Sequence, residues 1–134
     1  MAIRGMTHVS LSVTDLDRSV DFYRDVLGLP VFVERFQGSA FDGEEVMLLA
    51  GRTALCLQAH TANGGERFDP RRAGLDHLAL AVESMADLEE YARRLTDLGI
   101  DHSGIRPITT FGHFIELRDP DGIQIELHLL LGST

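Results

Sequence analysis

The sequence predicts an α+β fold built from two copies of a β-α-β-β-β module. Three observations support this prediction. Apolar and polar residues alternate in several short segments, as they do in half-buried strands, and two longer segments have apolar residues at helical spacing. The segment T-H-V-S-L-S-V at 7–13 also returns as D-H-L-A-L-A-V at 76–82, which indicates an internal repeat. We expect one domain over residues 1–134, with the modules at about 5–60 and about 74–131.

The first module begins with a strand at 7–13, in which every second residue is apolar. A helix follows, with Thr14 or Asp15 as its N-cap and Gly28 as its C-cap. Three more strands complete the module, and Gly51 and Arg52 form the turn between the last two. These strands are predicted at 30–36, 45–50 and 53–60.

A polar loop at 61–73 leads into the second module, which repeats the same order of elements. A strand at 76–82 precedes a helix that Ser84 caps and that ends at Gly99. The segment Asp119-Pro120-Asp121-Gly122 is a strong turn signal before the final strand. The last three strands are predicted at 100–105, 114–118 and 123–130.

Composition excludes several classes of function. The chain has 134 residues, 12 Lys and Arg against 21 Asp and Glu, and a formal charge of −9. This charge argues against nucleic acid and anionic membranes as partners, because both require clustered positive charge. Cys56 is the only cysteine, so an intrachain disulfide and a four-cysteine zinc site are both impossible. With no apolar segment of signal or membrane-spanning length, we expect a soluble cytoplasmic protein.

The polar faces of the first and last strands of each module carry the candidate functional residues. His8 and His77 occupy the same place in the two copies, and Gln58 and Glu126 lie on the last strand of each copy. If the copies pair about a pseudo-twofold axis, these four side chains converge. Two imidazoles and one carboxylate suit a divalent metal ion and leave coordination positions open, and Gln58 would add a weak neutral fourth ligand.

The chain resembles the vicinal oxygen chelate superfamily, which includes glyoxalase I, extradiol dioxygenases, methylmalonyl-CoA epimerase, fosfomycin-resistance transferases and bleomycin-binding proteins. Three segments carry the resemblance: H-V-S-L-S-V-T-D-L-D-R-S-V-D-F-Y-R-D-V-L-G-L from His8, G-L-D-H-L-A-L-A-V from Gly74, and L-R-D-P-D-G-I-Q-I-E-L from Leu117. It implies two modules in a curved, barrel-like mixed sheet around a metal, the glyoxalase/dihydroxybiphenyl dioxygenase-like fold. The ligand positions that it implies are His8, Gln58, His77 and Glu126, with His60 as the alternative to Gln58.

The resemblance implies a metal-dependent enzyme, with Zn, Ni, Co, Mn or Fe as the ion, that chelates a small oxygenated substrate and stabilises an oxyanion or enolate. Lyase, isomerase and dioxygenase chemistry all fit this description. A His-Gln-His-Glu set is similar to that of methylmalonyl-CoA epimerases, and a His-His-Glu set is similar to that of extradiol dioxygenases and fosfomycin transferases. The alternatives are a fosfomycin-type thiol transferase and a non-catalytic binding protein of the bleomycin-resistance type. A homodimer is expected in each case.

Further site residues follow from the same comparison. Glu126 and His113 are the candidates for moving a proton. In the epimerase pattern a third-strand Glu is the base, and here Val46 takes that place, with Glu44 and Glu45 displaced from it. Glu116 stands where fosfomycin enzymes have a tyrosine. Four residues are expected to line the substrate site, although rim histidines and an inert buried thiol are the plain alternatives for three of them: His60, Cys56, Arg106 and His128.

Overall fold

The computed structural model describes residues 1–108 and 112–130. The chain forms two compact units, Met1–Arg67 and Phe68–Thr134, and each is described by itself. Each unit contains one four-stranded mixed sheet and one main helical segment. The predicted α+β fold and its internal repeat are therefore confirmed. None of the described helices is long and apolar enough to cross a bilayer.

The sheet of the first unit has the strand order β1-β4-β3-β2, with β1 parallel to β4 and the other pairs antiparallel. The pair Ala50↔Thr53 closes the hairpin and confirms the predicted turn at Gly51 and Arg52. Gly51 has φ +61, a conformation that favours glycine. The elements are β1 His8–Ser12, α1 Leu16–Asp21 with a π-helical continuation at Phe22–Val26, β2 Val31–Gln37, β3 Gly43–Ala50 and β4 Thr53–His60.

The core of the first unit lies between α1 and one face of the sheet. The predicted N-cap is confirmed, since the Asp15 carboxylate accepts a hydrogen bond from the Arg18 backbone N–H at 3.0 Å. The helix packs on β3 and β4. Alternation along the strands puts apolar side chains under the helix and polar ones on the opposite face. The fully buried side chains include Val13, Tyr23, Leu48 and Leu57.

The second unit repeats this plan, with the strand order β5-β8-β7-β6 and β5 parallel to β8. The helix begins after Ser84, whose hydroxyl accepts from the Asp87 backbone N–H, as predicted. It packs on β7 and β8, and buries Leu88 and Leu95 completely. The elements are β5 Leu78–Ala81, α2 Met85–Asp97, β6 Arg106–Ile108, β7 Gly112–Arg118 and β8 Gln124–Leu130.

The strand predicted at 100–105 is wrong. This segment is irregular apart from one isolated bridge between His102 and Leu117, and Gly104 has φ +72, which a strand does not accommodate. Local side-chain bonds replace the ladder: His102 Nδ1 accepts from the Gly104 N–H at 3.0 Å, and Ser103 Oγ accepts from the Glu116 N–H at 2.9 Å. The strand of this region is β6, which begins at Arg106. Residues 109–111 and 131, which belong to the predicted second module, lie outside the described residues.

Candidate functional site

The polar face of the second unit carries a row of ionisable side chains on adjacent strands. Ile125 and Leu127 point into the core, so the side chains of Glu126 and His128 lie on the opposite face of β8. The register places Glu116 of β7 directly across from Glu126, and Phe114 across from His128. Two carboxylates therefore face the same side of the sheet as neighbours. Glu116 was expected only as the replacement of a tyrosine, and its pairing with Glu126 is a finding of the structure.

His77 lies immediately before β5 and has a carboxylate near each ring nitrogen. Its Nδ1 is 2.7 Å from Oδ1 of Asp76, and its Nε2 is 3.5 Å from Oε2 of Glu126. The hydrogen bond with Asp76 is the main cause that raises the pKa of His77 above its ordinary value, with smaller contributions from the charges of Glu126 and Glu116 against the opposing effect of burial. The structure thus brings together the predicted pair His77 and Glu126.

Both oxygens of the Glu126 carboxylate have further partners. His128 Nε2 lies 2.6 Å from Oε2, and the Gln124 amide donates to Oε1 at 3.3 Å. The His128 ring stacks on Phe114, with 5.4 Å between the ring centroids. These contacts fix the plane of the carboxylate, and they make His128 a partner of Glu126.

The polar face of the first unit is less charged. Oγ1 of Thr7 lies 2.9 Å from Nδ1 of His8, so the residue before the histidine bonds its ring, as in the second unit. The Gln58 amide donates to Oε2 of Glu45 at 3.5 Å. Glu45 is only 7% exposed, which places a nearly buried carboxylate beside Gln58.

Cys56 lies opposite Ser10 on this same face. It is 2% exposed, and burial is the main cause that raises the pKa of its thiol, against a hydrogen bond with Ser10. A buried thiol with a raised pKa is a poor nucleophile.

The strand register overturns the expected equivalence of Gln58 and Glu126. The Val13 N–H donates to the Gln58 carbonyl, whereas the Val82 N–H, at the same place in the second copy, donates to the His128 carbonyl, each at 2.9 Å. Gln58 is therefore the counterpart of His128, and the counterpart of Glu126 is Cys56. Counting residues from each histidine pairs Gln58 with Glu126. The count fails because the number of residues from the histidine to the equivalent position on the last strand differs between the two copies.

This register also bears on Gln58 as a metal ligand. His8 pairs with Ala54, and Gln58 lies four residues farther along β4. That separation is about 13 Å at roughly 3.3 Å per residue. To share one ion, the two side chains would therefore have to extend toward each other along the sheet, which is not the arrangement of His77 and Glu126.

Two other expectations about the faces are wrong. Val46 does not hold the third-strand position on the polar face, because it is buried in the core opposite Leu57. Glu45, opposite Gln58, takes that position. His113 is not on the face of Glu126, since it alternates with Phe114 and Glu116 and shares its face with the core residues Ile115 and Leu117.

Two of the expected substrate-lining residues, His60 and Arg106, lie in different surroundings. His60 is at the end of β4, where its ring centroid lies 4.5 Å from that of Phe41. Arg106 is exposed and lines an open depression of about 270 Å³ in the second unit. Its other lining residues are Asp101, His102, Ser103, Glu116, Leu117 and Arg118.

Sequence reasoning missed Asp76 and Thr7. The available signal was their position directly before each histidine, where a short oxygen-bearing side chain can reach the ring. Within the described residues, no three His, Cys, Asp or Glu side chains gather into a complete cation site.

The donor chemistry of His77 and Glu126 nevertheless fits a divalent ion. Two donors about 2.1 Å from one ion at a tetrahedral angle lie roughly 3.4 Å apart, close to the observed separation of 3.5 Å. The remaining ring nitrogen of His77 is bonded to a carboxylate, as is usual for metal-binding histidines.

Comparison with known proteins identifies relatives of this chain. The sequence model of the Glyoxalase/Bleomycin resistance protein/Dioxygenase superfamily matches residues 5–127. Glutathione transferase FosA of Serratia marcescens is 28% identical over 127 residues, which cover 95% of this chain and 82% of that protein. A probable lactoylglutathione lyase of Synechocystis sp. is 30% identical over 131 residues, covering 91% and 92%.

A solved structure agrees with this assignment. The glyoxylase/bleomycin resistance protein/dioxygenase domain from Frankia sp. EAN1pec is 35% identical, with a TM-score of 0.84 over 96% of this chain and 99% of that one.

Proposed function

Because the chain belongs to the Glyoxalase/Bleomycin resistance protein/Dioxygenase superfamily, we propose that it is a divalent-metal-dependent enzyme that acts on a small oxygenated molecule. The observation that carries the proposal is the pair His77 and Glu126. Their donor atoms face each other at 3.5 Å, and the second nitrogen of His77 is bonded to Asp76. Similarity to a glutathione transferase and to a probable lyase supports an enzyme of this class.

The proposed ligands are His8, His77 and Glu126, a set that the resemblance supplies. Gln58 is left out of the proposed set, because it lies four residues along β4 from the strand partner of His8. Two imidazoles and a carboxylate leave open positions for substrate oxygens. A bound divalent ion would act as a Lewis acid toward those oxygens. Zn, Ni, Co, Mn and Fe all accept such donors, so the identity of the ion has to be measured.

Proton transfer is the chemistry that we propose for this chain, as in a lyase or isomerase. Glu45 is the proposed base, because it is a nearly buried carboxylate on the polar face of its sheet. The Gln58 amide donates to one oxygen of this carboxylate at 3.5 Å, which orients it on that face. Glu126 serves as a ligand in this proposal, and its bonds to Gln124 and His128 hold it in that role.

A fosfomycin-type thiol transferase is the second candidate. It is favoured by the 28% identity to glutathione transferase FosA. The exposed guanidinium of Arg106 beside an open depression would suit an anionic substrate.

The first experiment measures metal content by mass spectrometry on protein purified without a chelator or His-tag. We expect near-stoichiometric metal in the parent chain and its loss in H77A and E126A. H102A is the matched control, because His102 is bonded to Thr96 and the Gly104 N–H rather than to Glu126. Absence of metal under every loading condition contradicts the proposal and favours a binding protein of the bleomycin-resistance type.

The second experiment separates the two enzyme candidates. Metal-loaded protein in D₂O is given small 2-oxo and 2-hydroxy acids and thioesters, and NMR follows deuterium entry next to the carbonyl group. We expect exchange in the parent chain and its loss in E45Q with metal content unchanged. Consumption of glutathione together with fosfomycin, without such exchange, assigns the transferase instead.

A further inference from the structure

We infer that Asp76 is a positioning residue for His77, which it holds with the proton on Nδ1 and the Nε2 lone pair facing Glu126. The expected effect on metal binding rests on the proposed function. The assignment of the His77 tautomer does not, because it follows from the contact with Asp76. Asp76 Oδ1 lies 2.7 Å from His77 Nδ1, within the range of a charge-assisted hydrogen bond.

The chemistry of the carboxylate decides which nitrogen carries the proton. An ionised carboxylate only accepts hydrogen bonds, so Nδ1 of His77 has to be the donor. In the neutral ring the other nitrogen, Nε2, then has a lone pair and no proton. This is the atom that faces Glu126 at 3.5 Å. The bond with Asp76 therefore prepares His77 as a ligand before any ion arrives.

The corresponding contact in the first unit does not control the tautomer of its histidine. The Thr7 hydroxyl lies 2.9 Å from His8 Nδ1, but a hydroxyl both donates and accepts. It restrains the ring of His8 without choosing its tautomer. In the second unit, by contrast, the Asp76 carboxylate determines which ring nitrogen of the histidine carries the proton.

The chain contains a matched control for Asp76. Asp101 precedes His102 in the chain just as Asp76 precedes His77. His102 Nδ1, however, accepts from the Gly104 N–H, and its Nε2 lies 2.8 Å from the Thr96 hydroxyl. His102 is therefore expected to carry its proton on Nε2, the opposite tautomer, and it provides an internal reference.

The first test uses metal-free protein, so that it does not depend on the proposed function. Long-range ¹H–¹⁵N NMR spectra of the histidine rings are recorded at a pH above the His77 midpoint. We expect the Nδ1–H form for His77, the Nε2–H form for His102, and a shift of His77 toward the Nε2–H form in D76A but not in D101A. An Nε2–H form of His77 in the parent chain, or no change in D76A, overturns the inference.

The second test measures affinity for Co²⁺ and Ni²⁺ by competition with a chelating dye. Loss of a carboxylate that supports a ligand histidine lowers metal affinity about 10-fold to 100-fold. We expect such a loss in D76A, partial recovery in D76N, whose amide oxygen still accepts, and affinity within about twofold of the parent in D101A. Equal affinities of D76A and D101A overturn the positioning role.

The two tests separate the two ideas. If the parent chain binds neither ion while the NMR result holds, the proposed function fails and the tautomer assignment stands. If the parent chain binds metal and D76A binds it equally well, the proposed function stands and the role of Asp76 fails.

Discussion

His128 Nε2 lies 2.6 Å from Oε2 of Glu126, the same oxygen that faces His77. The ring of His128 is itself held by stacking on Phe114. One carboxylate oxygen is therefore shared between two imidazoles, and the position of Glu126 depends on His128.

Replacement of His128 by phenylalanine removes this hydrogen bond and keeps a ring for the contact with Phe114. We expect the affinity for Co²⁺ or Ni²⁺ to fall about tenfold, because the carboxylate loses a partner that orients it. Competition with a chelating dye measures the change. H128Q, which keeps a donor, should retain most of the affinity, and equal losses in both variants would contradict the orienting role.

Removal of Gln58 tests the register of the first unit. Since Gln58 is four residues beyond the strand partner of His8, Q58A should bind metal as the parent chain does, whereas H8A should lose binding. Isothermal titration with Zn²⁺ distinguishes the two variants. A loss in Q58A as large as that in H8A would restore the four-ligand set.

Stability of the metal-free protein should depend on pH through His77. Its folded pKa lies above the ordinary value of 6.5, so its contribution is complete below that value and is lost as the pH rises through the folded pKa. The pair is partly exposed, with His77 at 39% and Asp76 at 69%, so the contribution is below about 1 kcal/mol.

We therefore expect the difference in unfolding free energy between the parent chain and D76N to be larger at about pH 6 than at about pH 9. Urea unfolding at both pH values measures it, with D101N as the control. A difference that grows toward high pH would contradict this sign.

The turn before β8 depends on one buried carboxylate. Asp119 Oδ1 accepts from the backbone N–H groups of Asp121 and Ile123 at 2.9 and 2.8 Å, and Asp119 is 5% exposed. D119A leaves these donors without that acceptor, and we expect it to destabilise the protein by roughly 2–4 kcal/mol. D119N keeps an acceptor oxygen and should cost less. Chemical unfolding checks both, and equal stability of D119A and the parent chain would refute the role of this turn.

The fold could be predicted from local sequence signals. Alternating apolar residues, the caps Asp15 and Ser84, and the turn at Gly51 all act over a few residues, and each is found where the sequence places it. The segment around His102 differs because the side chains of His102 and Ser103 accept from the backbone N–H groups of Gly104 and Glu116. These bonds compete with a strand ladder, and alternation does not reveal them.

The site was only partly predictable, for a different reason. Alternation with the core residues Ile125 and Leu127 is enough to place Glu126 on the polar face of β8. The faces of Glu45 and His113 depend on where alternation begins in each strand, since a shift of one residue moves a side chain to the other face. Matching Gln58 to its counterpart in the second copy requires the register between β1 and β4. The sequence does not state that register.

The two copies of the repeat differ in the number of ionisable side chains near their histidine. Thr7, Cys56 and Gln58 stand where the second copy has Asp76, Glu126 and His128. A change at one of these three neutral positions of the first copy disturbs few other charges. The second copy has less freedom, since a change at any member of its chain of bonds alters the next. Engineering of substrate preference should therefore begin near these neutral positions of the first copy and leave the proposed ligand His8 and the proposed base Glu45 unchanged.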